Sequence, residues 1–141
     1  MTRMSPIHHL LLSTLLTVSV AVVVAILAGV DIPRAGAAPP GGPGDRITVV
    51  LTSDREFNSA ATWFDADNRM RSQVDVPLPW HDPQTKRWSG RLVYTGRVRD
   101  LRTDVLFQSS GSFAGCAIWI NDRKVAEETS TGRYATVYCA D

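Results

Sequence analysis

The sequence predicts an all-β fold, an antiparallel sandwich of seven to eight short strands behind one apolar N-terminal helix. Three observations lead there. After residue 45 the apolar residues fall into period-two runs, turn-forming residues recur at short intervals, and the N-terminal segment separates sharply in composition from the rest. Leu10–Val30 holds 16 apolar residues of 21 and no charge, whereas residues 45–141 hold 39 of 97 and all eleven aromatics. What remains beyond the apolar segment is enough for one core, which excludes an enzyme with separate cofactor and substrate domains.

Residues 1–9 read as a short cytoplasmic N-terminus and residues 10–30 as a transmembrane helix. A signal-peptide core runs to about 7–15 residues, while a bilayer requires about 20 apolar residues in helix. The uncharged run from Ser5 through Val30 fits the longer requirement. Ser13, Thr14, Thr17 and Ser19 are tolerable in a span, because hydroxyls bond back to helix carbonyls. The rival reading, a cleaved signal, draws on the small residues Ala35-Gly36-Ala37, which lie five positions past the apolar run. Arg3 and the amino terminus against Asp31 and Arg34 place the N-terminus inside and residues 31–141 outside. Residues 31–44 form the linker; eight of the twelve residues 33–44 are Pro or Gly, which suits a tether and no regular element.

Residues 45–141 supply the strands. Ile47, Val49 and Leu51 alternate with Thr48, Val50 and Thr52 in the first. Ala61–Phe64 follows, the polar run Asp65–Asn68 makes a turn, and a strand is expected near Met70–Val76. Pro79-Trp80-His81-Asp82-Pro83 reads as a loop. The next strand, Trp88–Val98, sets Leu92 and Tyr94 on one face and Arg91 and Val93 on the other. Val105–Phe107 comes next, and then Cys116, Ile118 and Ile120 share a face opposite Ala117 and Trp119. Asn121-Asp122 is hairpin chemistry, Val125–Glu128 the return strand and Thr129–Gly132 another turn. Tyr134–Cys139 closes the chain with Ala135, Val137 and Cys139 aligned. Many short strands in one small domain suit an Ig-like sandwich.

Cys116 and Cys139 both lie on expected core faces. In an oxidising compartment a disulfide is the default for such a pair, against two free buried thiols as the alternative. Closing the loop between them is worth about 3 kcal/mol in the chain-entropy model.

Catalytic groups are sparse. A relay would have to use His81 with the adjacent Asp82 and one of Ser109, Ser110 or Ser112, and no nucleophile elbow is present. No spacing singles out two of the ten Asp and three Glu of residues 45–141 as a glycosidase pair. Asp65, Asp67 and Asn68 evoke a calcium loop without its glycine or its late glutamate, so turn chemistry is expected. His8 and His9 lack companion ligands. No catalytic, cofactor-binding or metal residues are assigned, no cofactor is implied, and the protein is expected not to be an enzyme. The 13 basic and 13 acidic residues of this region give no excess for nucleic acid. One local excess stands out: Arg87, Arg91, Arg97, Arg99 and Arg102, interleaved with Trp88, Leu92 and Tyr94, which would suit an acidic headgroup or simply a solvated face. Trp63, Trp80 and Trp119 are expected in the core or at the sandwich rim.

The layout and several strings resemble the mycobacterial small membrane proteins, the MmpS family. The strings are Arg46-Ile47-Thr48-Val49, Leu78-Pro79-Trp80, Gly115-Cys116-Ala117-Ile118, Ile120–Val125 and Tyr134–Cys139, in that order behind a span and a tether. The stretch His81–Asp104 is longer than the family's usual strand and loop. The resemblance implies a membrane-anchored accessory role beside an MmpL-type, RND-superfamily exporter of lipids or siderophores. It also implies an inner-membrane location with the C-terminal domain on the periplasmic side, and it maps the family's two cysteines onto Cys116 and Cys139. The implied partners are a multi-span transporter and the bilayer, with contact to lipid or siderophore. The alternative is an exported module that binds lipid or siderophore with no obligate transporter.

Overall fold

The computed structural model describes residues 41–141, and these contain nine strands and no helix. The expected cytoplasmic segment, the span at 10–30 and most of the linker lie outside the described residues. The strands are β1 (Arg46–Ser53), β2 (Phe57–Phe64), β3 (Met70–Pro77), β4 (Trp80–Asp82), β5 (Arg87–Thr95), β6 (Val105–Gln108), β7 (Phe113–Ile120), β8 (Arg123–Thr131) and β9 (Thr136–Cys139). They form two antiparallel sheets, ordered β4-β5-β1-β7-β8 and β3-β2-β6-β9. The all-β expectation holds, and the strand count rises from seven or eight to nine.

The extra strand is β4. Its proline neighbours suggested a loop, yet Pro79 and Pro83 fall just outside the three paired residues, where they cost no ladder bond. Strand β8 also runs past the expected Glu128 to Thr131, through residues expected to turn. As a sheet edge it needs no apolar alternation, and its polar side chains guard against strand addition. Strand β5 stops at Thr95 rather than Val98, and β9 begins at Thr136 because Tyr134 adopts a left-handed backbone, φ 54°.

Alternation in the central strands sets the core. Ile47, Val49 and Leu51 of β1 pair with Tyr94, Leu92 and Gly90 of β5 and with Ile120, Ile118 and Cys116 of β7. These residues face the second sheet, which contributes Ala61, Val105, Phe107 and Val137. Phe107, Ile47, Leu101 and Ile118 are fully buried, each worth about 1.5–3 kcal/mol by transfer. Asn121 takes φ 52° in the two-residue turn between β7 and β8, as the sequence expects of it.

Cys116 of β7 and Cys139 of β9 form a disulfide with a Cα–Cα distance of 6.2 Å. The bond joins one sheet to the other, at the side of the sandwich where β9 approaches β7 and β8 most closely. Gly41 and Gly44, expected in the linker, bond to the sandwich: Leu101 N–H donates to Gly41 O at 2.8 Å and Gly44 N–H to Gly96 O at 2.9 Å. Residues Ala37–Asp141 make one compact unit that contains every core residue among the described residues, and the disulfide, so it has what it needs to fold alone.

Candidate functional site

Strands β5 and β3, away from the disulfide, do not approach each other as β9 approaches β7. Between them lies a cleft of about 350 Å³. Val49, Leu51 and Leu92 line it from the five-stranded sheet, and Ala61, Trp63, Val76 and Val105 from the other. The crossing segment Pro77-Leu78-Pro79-Trp80, which carries the chain from β3 to β4, completes the lining. The polar side chains of the lining are Gln73 and Arg91, and no carboxylate is among them. An apolar hollow of this size with a few polar groups has the character of a small-molecule site.

Local sequence explains the shape. Gly90 lies on the inner face of β5, where an added Cβ would sit 2.8 Å from Leu78 Cδ2. Its lack of a side chain lets the crossing segment come in close. Asp75, φ 50°, breaks the alternation of β3 so that both Gln73 and Val76 reach the cleft while Val74 is exposed.

A second, shallower hollow of about 300 Å³ adjoins it on the outer face, lined by Val50, Trp80, Ser89, Gly90 and Arg91. The two hollows share Trp80, Gly90 and Arg91. Trp80 is 54% exposed, and the Arg91 guanidinium carbon lies 5.8 Å from its ring centroid. Sequence reasoning named both residues separately but did not bring them together.

The other arginines do not join them. Arg97 is ion-paired to Asp67 and Arg102 to Asp104, and both lie in the segment between β5 and β6. Arg102 also stacks on Phe64, 4.0 Å from its centroid, and Arg87 covers Phe113 at 3.3 Å. The run of five is therefore not one basic patch; aspartates and aromatic faces engage most of it.

The carboxylates mostly brace turns. Asp65 accepts from Asp67 N–H at 2.9 Å, Arg69 N–H at 3.0 Å and Arg71 Nε at 2.7 Å. The Arg69 amide leads in holding its carboxyl down at about 2, with Arg71 and Asp67 helping. Asp67 is lowered by the Arg97 guanidinium. This is turn chemistry, as expected of Asp65–Asn68.

His81 sits on β4, exposed, its ring 4.6 Å from that of Trp88. The candidate serines are engaged elsewhere. Ser109 is buried against Ser53, Ser110 Oγ donates to Phe57 O, and Ser112 Oγ donates to Asp54. None of these hydroxyls is hydrogen-bonded to His81. Trp63 packs against the core, while Trp80 stands at the rim of the cleft.

No family model matches the chain, and no curated protein matches it.

Proposed function

We propose that the chain is a membrane-anchored accessory protein of an MmpL-type exporter of lipids or siderophores. In this reading residues 10–30 dock among the transporter's membrane helices in the inner membrane, and the tethered sandwich meets its periplasmic domains. The observation that carries it is the Cys116–Cys139 disulfide, a bond of oxidising compartments, placed on the two strings where the resemblance sets the family's cysteines. Anchoring raises the effective concentration of the domain at its partner, so a weak contact suffices. The role needs no catalysis, in keeping with serines and aspartates engaged in turns and sheet-to-sheet contacts. The finer fold reading is Ig-like: β4-β5-β1 and β3-β2-β6-β9 follow a Greek-key order, with the β7–β8 hairpin beside β1. Photo-crosslinking from the sandwich in intact membranes tests the role. Recovery of one multi-span transporter is the expected result, and its absence overturns the reading.

The apolar cleft favours a second reading, an exported module that captures lipid or siderophore itself. Saturable binding of extracted lipids or siderophores by residues 37–141 is the expected result there, and its absence removes this reading.

A further inference from the structure

We infer that the cleft and the hollow beside it form one bipartite site for a free, single-chain anionic amphiphile, the alkyl chain lying between the sheets and the anionic head on Arg91. The inference rests on the capture reading and specifies its ligand.

The cleft supplies the first half. Its walls are mostly aliphatic and aromatic, so water gains little there and an alkyl chain gains the transfer free energy of its buried surface. Its volume, about 350 Å³, lies at the small end of ligand pockets, which suits one alkyl chain better than the paired chains of a bilayer lipid.

Arg91 supplies the second half. It is exposed and has no ion-pair partner among the described residues, in contrast to Arg71, Arg97 and Arg102. Asp82 on β4 pairs with Arg87, four residues along β5 from Arg91; its carboxylate accepts from Gln84 N–H at 2.9 Å and Thr85 Oγ1 at 2.8 Å, and it lines neither hollow. Arg91 thus lines both hollows, neither of which is lined by a carboxylate, and the forked donors of its guanidinium match a carboxylate or a sulfate ester. Trp80 belongs to both hollows and marks the passage from one to the other.

The test uses residues 37–141, with dodecanoate and dodecanol as probes below their aggregation concentrations. Binding is read by calorimetry and by the fluorescence of Trp63 and Trp80, which line the cleft. Dodecanoate should bind one to one, and about tenfold more tightly than dodecanol, the ratio expected of one charge-assisted contact at a partly exposed site. Arg91→Gln should remove that preference, weakening dodecanoate about tenfold more than dodecanol. Ala61→Leu should weaken both probes by filling the cleft. Because Ala61 is buried, Leu92→Glu serves as a second variant: Leu92 is 36% exposed, and a carboxylate there should selectively repel dodecanoate. Dodecanoate binding that is indifferent to Arg91→Gln and Leu92→Glu overturns this site and leaves the capture reading standing. If neither dodecanoate nor any extracted lipid or siderophore binds, both fall.

Discussion

Ser53 Oγ and Ser109 Oγ lie 2.8 Å apart between the two sheets, both fully buried. Ser53 ends β1 in one sheet, and Ser109 follows β6 in the other. Each oxygen also accepts a backbone N–H, from Arg55 at 3.0 Å and from Gly111 at 2.8 Å. Ser109 Oγ reaches Asp54 Oδ1 at 3.4 Å, so a single direction of donation, Ser53 to Ser109 to Asp54, satisfies the chain. Ser53→Ala leaves the Arg55 amide without this acceptor, and Ser109→Ala does the same to Gly111. Each should cost about 1–3 kcal/mol. Since both act on one contact, the double variant should cost less than the two together. Urea unfolding of the four proteins measures this, and strict additivity would count against the coupling.

The disulfide joins the same two sheets covalently, with a sequence separation of 23. Cys116→Ser should lower stability by about 2–5 kcal/mol. Reduction of the wild-type protein should move its melting temperature in the same direction, and the variant should no longer respond to reductant. A reduced and an oxidised wild type that melt together would contradict this.

Legibility from sequence followed the reach of each interaction. β1 and β7 could be read because Ile47, Val49, Ile118 and Ile120 alternate against one core, and this periodicity is written locally. Two stretches lack that signal: Thr129–Thr131 at the end of β8, and β4 between two prolines, are strand because a neighbouring strand offers them hydrogen bonds. The cysteines were legible as a core pair, since both alternate with apolar residues. The cleft was not. It depends on Leu78 settling over Gly90 and on Asp75 turning Gln73 and Val76 to the same side, which are relations between sheets. The five-arginine run left two readings open for the same reason, because Asp67 and Phe64 come to it from a turn and another strand.

Asp54 fastens the loop before β7. Its carboxylate accepts from Ser112 N–H, Ser112 Oγ and Phe113 N–H at distances from 2.8 to 3.1 Å. Burial acts to raise the pKa, but these donors outweigh it and hold the group down at about 2, against an ordinary 3.8. The folded value lies below the unfolded one, so the contribution is fully present above about pH 4 and is lost as pH falls through about 2. Asp54→Asn removes the charge and turns amide hydrogens toward existing donors, at a cost of about 1.5–3 kcal/mol near neutrality. Unfolding free energies measured from pH 6 to pH 2 should show the wild-type advantage shrinking toward the acid end. A difference that stays constant with pH would mean that the charge is not what matters.

Gly96 seats the beginning of the described chain on the sandwich. Its N–H donates to Asp45 O at 2.8 Å, and its carbonyl accepts from Gly44 N–H at 2.9 Å. A Cβ at this position would lie 2.5 Å from Gly42 O and 2.9 Å from Leu101 Cδ2. The first of these contacts is with backbone and cannot rotate away, so Gly96→Ala must push residues 41–44 off the loop or shift Leu101 in the core. The expected cost is about 1–3 kcal/mol, in the range of overpacked interiors. Gly42→Ala is the matched control: its nearest neighbour would be Asp45 Oδ2 at 3.7 Å, an ordinary contact, and its effect should stay within about 0.5 kcal/mol. Hydrogen exchange at the Gly44 and Leu101 amides separates the two outcomes. Faster exchange at both in Gly96→Ala means that the entering chain has lifted away. Unchanged exchange with lowered stability places the strain in the core around Leu101. Wild-type stability in Gly96→Ala would show that residues 41–44 do not need this seat.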